Sequence, residues 1–264
     1  RVGVTRNTVL VRELDPTTSR YVEVSRVDLD ENFASDFYLS ALKDDDSMIR
    51  LAISEGTTSW SIVNALKGLN VLDGPIIDMP QEGTLAPDSY EIRIGDLRAD
   101  VLTRMAKAQD RRLKEVWGMR SDKTPVDNIQ DLLVLASIIE KETAVASERS
   151  QVASVFANRL KLGMPLQTDP SVIYGITLGK GSLGRGLRKS ELRKDTPWNT
   201  YVNRGLPKSA IASPGLASLR AAINPANTNY IFFVADGTGG HAFSTTLKEH
   251  NRNVAAWRKI EKNK

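Results

Sequence analysis

The segment LLVLASII, from Leu132 to Ile139, constrains the fold of this chain more than any other stretch. It carries no charge, so a helix formed by it is apolar on every side and belongs inside a folded core. The run leads directly into Glu140, the first residue of the sequence EKET. A carboxyl group at the end of a buried face is partly desolvated, which raises its pKa toward the range that a general acid uses.

The surroundings of Glu140 allow two interpretations. Positions three and four apart share a face of a helix, so Glu140 lies with Ala136 and Ser137, whereas Glu142 points nearly the opposite way. Glu140 is then either a general acid or a residue that merely ends the buried face and reaches solvent or pairs with a basic side chain. Helical spacing alone favours the second interpretation.

The composition excludes several kinds of site. The 264 residues include no cysteine and two histidines, which excludes a thiolate metal site and a cysteine nucleophile and argues against a histidine-rich metal centre. A hydrophobic content of 41% is ample for one large domain or two modest ones. The net charge of +4 suits an anionic polymer but identifies none.

Two further motifs predict loops rather than sites. The segment GKGSLG, Gly179 to Gly184, is followed by no convincing helix, so a dinucleotide-binding turn is not expected. His241 lies in GTGGHAF, and no GxSxG motif accompanies it, which leaves a serine triad without support. We expect a local hydrogen bond for this histidine in preference to a substrate contact. We predict no metal and no cofactor.

The remaining pattern predicts an α+β fold in three parts. Residues 1–46 form an N-terminal β-rich segment, 47–95 form a small strand–turn–helix unit with a turn-rich connector, and 96–264 form a larger mixed α/β domain. The turn of the small unit falls at Glu55-Gly56, before a helix with a Thr or Ser cap.

The third part is predicted to mix helices with loops. Helical spacing indicates helices at 97–117 and 245–260, and Tyr230 to Val234 has the composition of a buried strand. Residues between Pro165 and Pro214 are predicted to be rich in loops. The chain has no run of about 18 apolar residues, so we expect no membrane span in it. Its abrupt start is compatible with an anchor upstream.

Five segments, taken in order, resemble a known family. They are LASIIEKETAVASER, VFANRLKLGMPLQTDPSVIYG, TPWNTYVNRGLPKSAIASPG, LRAAINPA and YIFFVADGTGGHAFSTTLKEHN. In order and spacing, from about Val71 to Asn251, the chain resembles the MltG (YceG-like) family of endolytic murein transglycosylases. The unit from Met48 to Leu66 is similar to the LysM-like module of that family.

The resemblance implies a reaction and reverses the interpretation of Glu140. In that family the first glutamate of EKET is the catalytic acid and base. The enzymes cut the β-1,4 bond between N-acetylmuramic acid and N-acetylglucosamine without water and leave a 1,6-anhydromuramoyl end. One carboxyl group suffices because the nucleophile is the sugar's own C6 hydroxyl, provided that the substrate's acetamido group stabilises the developing charge.

The resemblance also implies a setting. We expect the enzyme to cut nascent peptidoglycan strands at the periplasmic face of the bacterial inner membrane, held there by a single N-terminal anchor. Penicillin-binding proteins of wall synthesis are the expected protein partners, and no nucleic acid is expected. The cut would end the elongation of a glycan strand.

Side chains of a glycan-binding groove are expected in the same motifs. They are Glu142, Gln167, Asp169, Tyr174, Asn199 and Tyr201. Amides, carboxylates and hydroxyls orient sugar groups, and tyrosine rings offer flat faces for stacking. Each residue has the alternative of an internal hydrogen bond that shapes a loop. The chain reads TPWNTY and GLPKSAI where many members read SPYNTY and GLPPGPI, which places Lys208 and Ser209 in a loop of changed stiffness.

Two other functions fit the same sequence. A noncatalytic peptidoglycan-binding scaffold would use the LysM-like module for affinity and the groove only to hold a strand. A hydrolase would need a second carboxylate facing Glu140, and Asp169 is the candidate. Anhydro ends, no new ends and reducing ends distinguish the transglycosylase, the scaffold and the hydrolase.

Overall fold

The computed structural model describes residues 8–15, 17–18, 20–28 and 48–262, and it has the mixed α and β character that the sequence predicts. The elements in chain order are β1 (Thr8–Asp15), β2 (Arg20–Asp28), β3 (Met48–Ala52), α1 (Ser59–Gly68), β4 (Ser89–Ile92), α2 (Arg98–Gly118), α3 (Ile129–Glu142), α4 (Arg149–Lys161), α5 (Asp169–Thr177), α6 (Lys189–Leu192), α7 (Leu216–Ile223), β5 (Phe232–Ala235), β6 (His241–Ser244) and α8 (Leu247–Lys262). A 3-10 turn, Ala146–Glu148, precedes α4.

Four strands form one antiparallel sheet with the order β2-β1-β3-β4. Strand β1 pairs with β2 on one side and with β3 on the other, with Val9 opposite Leu51. The predicted boundary between residues 46 and 47 therefore separates strands that share a sheet. The division of the chain into three parts stays a prediction.

A small core lies between this sheet and helices α1 and α2. Its buried side chains include Ile49, Leu51, Ile62 and Met105. The predicted strand–turn–helix unit is confirmed, because β3 leads through a turn into α1. Thr58 caps that helix and its side chain accepts a hydrogen bond from the backbone of Ser61.

A larger core surrounds α3. All residues from Leu132 to Ile139 are buried, with 8% exposure or less, so the predicted burial on every side is confirmed. The side chain of Asn128 caps the helix by accepting a hydrogen bond from Asp131 N. Small residues of α7, Ala221 and Ala222, pack in the same core. This packing fixes the C-terminal turn of α3, where Glu140 lies.

Helix α2 connects the two cores along its length. Its N-terminal residues Val101 and Met105 are buried in the small core, and Leu113 and Val116 are buried in the larger core. One apolar stripe on a 21-residue helix therefore serves both. Observed bounds of 98–118 agree with the helix predicted at 97–117.

One prediction about the third part of the chain needs correction, and the section predicted to be rich in loops holds two helices that the sequence did not predict. The section from Pro165 to Pro214 contains helix α5 as well as the short α6, because Pro170 occupies the first turn of a helix, where a missing N–H costs nothing. The predicted buried strand begins later, at Phe232, and its residues are only half-buried because β5, among the described strands, pairs only with β6. The final helix was predicted correctly.

Membrane-spanning helices are absent from the described residues. No helix there is both long enough and apolar enough to cross a bilayer.

Candidate active site

Glu140 lies in the last turn of α3, at the edge of the larger core, and its side chain is half-buried. Its carboxylate oxygen Oε2 accepts a hydrogen bond of 3.0 Å from the backbone amide of Gly215. The carboxyl group is thus held by a fixed backbone donor at the start of α7. This bond fixes the position of Oε2 and thereby the direction in which the other oxygen, Oε1, points.

The backbone that supplies this amide is the segment from Ala210 to Gly215, here called the bridging segment. The hydroxyl of Ser137 accepts a 3.0 Å hydrogen bond from Ile211 N and donates one of 2.7 Å to Val134 O, both in the core. Farther along, Gln109 of α2 is fully buried, and its Nε2 donates to Pro214 O at 3.4 Å. Helices α2 and α3 therefore hold the bridging segment from two sides.

The turn between β3 and α1 binds the other side of the bridging segment. Gly56 N donates to Ser213 O at 2.9 Å, and Ser213 N donates to Thr57 O at 2.9 Å. The ammonium of Lys141 donates to Gly56 O at 3.3 Å. Burial lowers the pKa of this lysine. The small unit thereby contacts the C-terminal end of α3.

Glu55 brings a second carboxylate to Gly215. A Cβ built on this glycine would stand 1.7 Å from Glu55 Oε1, so the carboxylate occupies the place that a side chain would take. Partial burial raises the pKa of Glu55, and the nearby charge of Glu140 raises it further, while Arg149 and Arg112 lower it.

Glu142 faces the opposite side of α3, as its spacing predicts, and belongs to a separate cluster. Burial raises the pKa of its carboxyl group to about 8, and the charge of Asp169 adds to the shift, while Arg159 opposes it. Tyr201 donates a 2.6 Å hydrogen bond from its hydroxyl to Asp169 Oδ1. At this pKa the Glu142 carboxyl group is mostly protonated at neutral pH.

Gln167 lies beside this cluster in an unusual backbone conformation, with φ 53° and an exposed side chain. Its Oε1 accepts a long hydrogen bond of 3.4 Å from Arg159, and its backbone amide donates to Thr200 O at 3.0 Å. The structure thus brings together four of the predicted groove residues, which are Glu142, Gln167, Asp169 and Tyr201.

Tyr174 stands apart from that cluster and contacts the connector of the small unit. Its hydroxyl hydrogen-bonds to the carboxyl group of Glu82, and burial raises the pKa of both groups. Glu82 also accepts hydrogen bonds from the backbone amides of Ser59, at 2.8 Å, and Gly83, at 3.2 Å. Tyr174 therefore joins α5 to the small unit.

Asn199 takes the alternative role that was left open for each predicted groove residue. It is 1% exposed, and its amide nitrogen donates to three backbone carbonyls, those of Glu191, Leu192 and Lys194. Its amide oxygen accepts a hydrogen bond from Tyr201 N. In this arrangement the side chain shapes the loop that carries Tyr201 and offers no exposed surface to a ligand.

With this geometry in place, comparison with known proteins identifies the chain. Residues 6–256 match the model of the YceG-like family. The chain belongs to the YceG-like family. The resemblance found in the sequence is thereby confirmed.

Two relatives of this YceG-like chain carry the name endolytic murein transglycosylase. A protein of Bacillus subtilis (strain 168) is 39% identical over 176 residues, and one of Streptococcus pneumoniae (strain D39) is 33% identical over 180 residues. The alignments cover 67% and 66% of this chain. They cover only 48% and 32% of the relatives, so the chain matches half of their length or less.

One solved structure shares the fold of this YceG-like chain. It is the 2.6 Å crystal structure of a putative YceG-like protein from Listeria monocytogenes, with a TM-score of 0.65 and 32% sequence identity. The match covers 77% of this chain and 75% of the Listeria chain.

Trp198 and Ser209, two positions that the family resemblance singled out in the sequence, contact each other. The indole Nε1 of Trp198 donates a 2.9 Å hydrogen bond to Ser209 Oγ. The ammonium of Lys208 lies 6.0 Å from the centroid of the same ring, and Tyr174 packs edge-on against it at 5.6 Å. Side-chain contacts with Trp198 therefore hold the loop of Lys208 and Ser209, the one in which changed stiffness was expected.

His241 was expected to hydrogen-bond locally, but its partner is distant in sequence. Its Nδ1 lies 2.8 Å from Glu148 Oε2, and its backbone amide donates to Glu148 Oε1 at 3.0 Å. This pair ties β6 to the turn that follows EKET. Across the described ranges, no three His, Asp or Glu side chains are grouped so as to hold a metal ion.

A cavity of about 690 Å³ opens elsewhere on the larger core. Lys123, Asn158, Pro225 and Thr228 are among its lining residues. The predicted site residues do not line it, so it has no place in the site around Glu140.

Proposed function

We propose that this chain is an endolytic peptidoglycan lytic transglycosylase with Glu140 as its acid and base. The observation that carries the proposal is the carboxyl group of Glu140, which ends a wholly buried helix and is held by the amide of Gly215 at 3.0 Å. The names of the Bacillus and Streptococcus relatives support this choice of reaction. The substrate is the β-1,4 bond between N-acetylmuramic acid and N-acetylglucosamine in nascent glycan strands.

The amide of Gly215 assigns different tasks to the two oxygens of Glu140. Oε2 accepts a hydrogen bond from an N–H, so an acidic proton on this carboxyl group resides on Oε1. Oε1 then delivers the proton to the glycosidic oxygen as the bond from that oxygen to C1 breaks. The resulting carboxylate remains stabilised by the same amide, because hydrogen bonds to an anion are stronger than those to a neutral group.

The second half of the reaction returns the proton. The C6 oxygen of the muramoyl residue attacks C1, and its hydroxyl proton passes to Oε1 of Glu140. One C–O bond breaks, one forms, and the enzyme ends in its starting protonation state. No water enters, and the product carries a 1,6-anhydro end.

The predicted groove gives the strand its position in this proposal. Glu142, protonated at neutral pH, can donate a hydrogen bond to an acetamido carbonyl, while Gln167 and Asp169 are exposed and accept from sugar hydroxyls. Tyr201 and Tyr174 offer ring surface at the two sides of α3. The strand–turn–helix unit acts as the LysM-like module and lies beside the strand.

The setting follows from the substrate. Nascent glycan strands lie outside the cytoplasmic membrane, so we place the enzyme at its outer, periplasmic face, beside penicillin-binding proteins. A cut there ends the elongation of a strand. An anchored enzyme would meet its substrate at high local concentration, which offsets a weak groove.

The rival function is a noncatalytic scaffold, and substitution of Glu140 distinguishes the two. Purified glycan strands are incubated with wild type, with Glu140→Gln and with Glu115→Gln, a matched change at an exposed position of α2. We expect new internal ends from wild type and Glu115→Gln and a loss of at least about 1,000-fold in rate for Glu140→Gln, read by mass spectrometry. Full activity of Glu140→Gln contradicts the proposal, and strands that bind but stay intact with every variant favour the scaffold.

A further inference from the structure

We propose that Glu55, in the turn between β3 and α1, is a second catalytic carboxylate that faces the bound strand and stabilises the positive charge developing at C1. This inference rests on the proposed function. It gives the small unit a chemical part in the reaction in addition to affinity for the glycan.

The contact with Gly215 places the two carboxylates side by side. The amide of this glycine binds Glu140 Oε2 at 3.0 Å, and the carboxylate of Glu55 fills the space beside its Cα, 1.7 Å from where a Cβ would be. The φ of Gly215 is −75°, which every residue tolerates. A glycine is therefore required here because any side chain at position 215 would collide with the carboxylate of Glu55.

The turn that carries Glu55 is firmly placed, whereas the Glu55 residue remains accessible to solvent. Gly56 and Thr57 are buried and form two backbone hydrogen bonds of 2.9 Å with Ser213, and Lys141 binds the carbonyl of Gly56. Glu55 itself is exposed. A fixed backbone limits the directions in which this partly buried side chain can point, which is what a residue positioned for a ligand requires.

The charged residues around Glu55 also support a functional role for it. The charge of Glu140 beside it raises the pKa of Glu55, and like-charge pairs of this kind cluster at functional sites. Arg149 and Arg112 are the favourable charges in its surroundings. The salt bridges of the described residues do not include one between Glu55 and either arginine, so a simple surface ion pair does not account for its position.

The proposed role adds no bond and no proton transfer to the reaction. As Glu140 protonates the leaving oxygen, C1 and its ring oxygen gain positive charge, and a nearby carboxylate lowers the energy of that state more than the energy of the bound substrate. The C6 oxygen remains the nucleophile. This role would otherwise fall to the substrate's acetamido group alone.

Rates measured over a range of strand concentrations test this role. We compare wild type with Glu55→Gln, Glu55→Asp and the surface control Glu115→Gln, and record thermal unfolding of each. For Glu55→Gln we expect kcat to fall about 100-fold with KM changed less than about threefold, an intermediate kcat for Glu55→Asp, and a Tm for Glu55→Gln no lower than that of wild type.

Three outcomes overturn the inference. A kcat for Glu55→Gln within about threefold of wild type shows that the carboxylate is not needed. A raised KM with unchanged kcat shows a contact made equally with substrate and transition state. Absence of cleavage by wild type itself overturns the proposed function, and the inference with it, so the two failures are distinguishable.

A change at Gly215 provides an independent probe of the same carboxylate. A methyl group on Gly215 collides with Glu55 but retains the amide that binds Glu140, so Gly215→Ala should lower kcat about as much as Glu55→Gln does. The matched control is Gly186→Ala, where a Cβ meets nothing within 4 Å. Added to Glu55→Gln, Gly215→Ala should cost little more, and fully multiplicative losses would contradict a shared cause.

Discussion

The carboxyl group of Glu140 owes its position to a residue far away in sequence. Gly215 follows it by 75 positions and supplies the amide that orients it. The sequence pattern indicated that this glutamate ends a buried face, and the family resemblance indicated its role. Neither the pattern nor the resemblance identified Gly215 as its hydrogen-bond partner. Helical spacing describes only neighbours three and four residues apart.

Glu142 is the residue for which the structure predicts a clear dependence on pH. Its folded pKa, about 8, lies above the ordinary value of 4.5. Between these values the unfolded chain releases a proton that the folded protein retains, so the free energy of unfolding falls as pH rises. We expect wild type to lose on the order of a few kcal/mol more between pH 5 and pH 8 than Glu142→Gln loses.

Urea unfolding of both proteins at several pH values measures this difference. Glu115→Gln serves as the control and should follow wild type throughout. Parallel pH profiles for wild type and Glu142→Gln would show that the carboxyl group is not held neutral by its surroundings.

Local sequence signals predicted the elements whose partners are close in sequence. The strand–turn–helix unit, α2 and α3 were found from hydrophobic spacing and caps, since these signals describe a single element. Helix α5 was missed because the density of Pro and Gly in its section indicated loops. Pro170 in fact occupies the first turn of the helix, so a proline that was interpreted as a loop signal lies at the start of a helix instead.

The bridging segment is an element without regular secondary structure, and α3 holds it through the carboxylate of Glu140 at one end and the hydroxyl of Ser137 near the other. Removing this hydroxyl with Ser137→Ala leaves the buried amide of Ile211 without its partner, which costs about 1–3 kcal/mol. It also loosens the segment that carries Gly215, so we expect kcat to fall about tenfold.

Ser154→Ala is the matched control for this change. Ser154 is also buried and hydrogen-bonded, to Gln151 O and to Thr228, but it does not contact the bridging segment. Both variants should lose stability in urea, and only Ser137→Ala should lose activity below its unfolding transition. Equal activities for the two would mean that the bridging segment does not position the site.

At the scale of the whole molecule, the site lies where two cores meet. The larger core supplies Glu140 on α3, and the small core supplies the turn with Glu55 and Gly56. The sequence predicted both units but not the contacts between them. Backbone hydrogen bonds between residues 56–57 and Ser213 join the turn of the small unit to the bridging segment, and such pairings leave no periodic signal in one sequence.

The match to the YceG-like family also concerns the molecule as a whole. Membership of the YceG-like family covers residues 6–256, so the two cores belong to one family pattern. The Bacillus and Streptococcus relatives extend well beyond the matched part. Activity of this chain by itself is therefore a property to be measured directly.

The most direct measurement of the central claim is the mass of the ends produced in water enriched in heavy oxygen. If Glu140 accepts the proton of the C6 hydroxyl as the C6 oxygen attacks C1, each new muramoyl end is lighter by one water than a reducing end and carries no heavy oxygen. Reducing ends that contain heavy oxygen would contradict the account, because they would show that a water molecule, rather than the sugar's own hydroxyl, attacks C1.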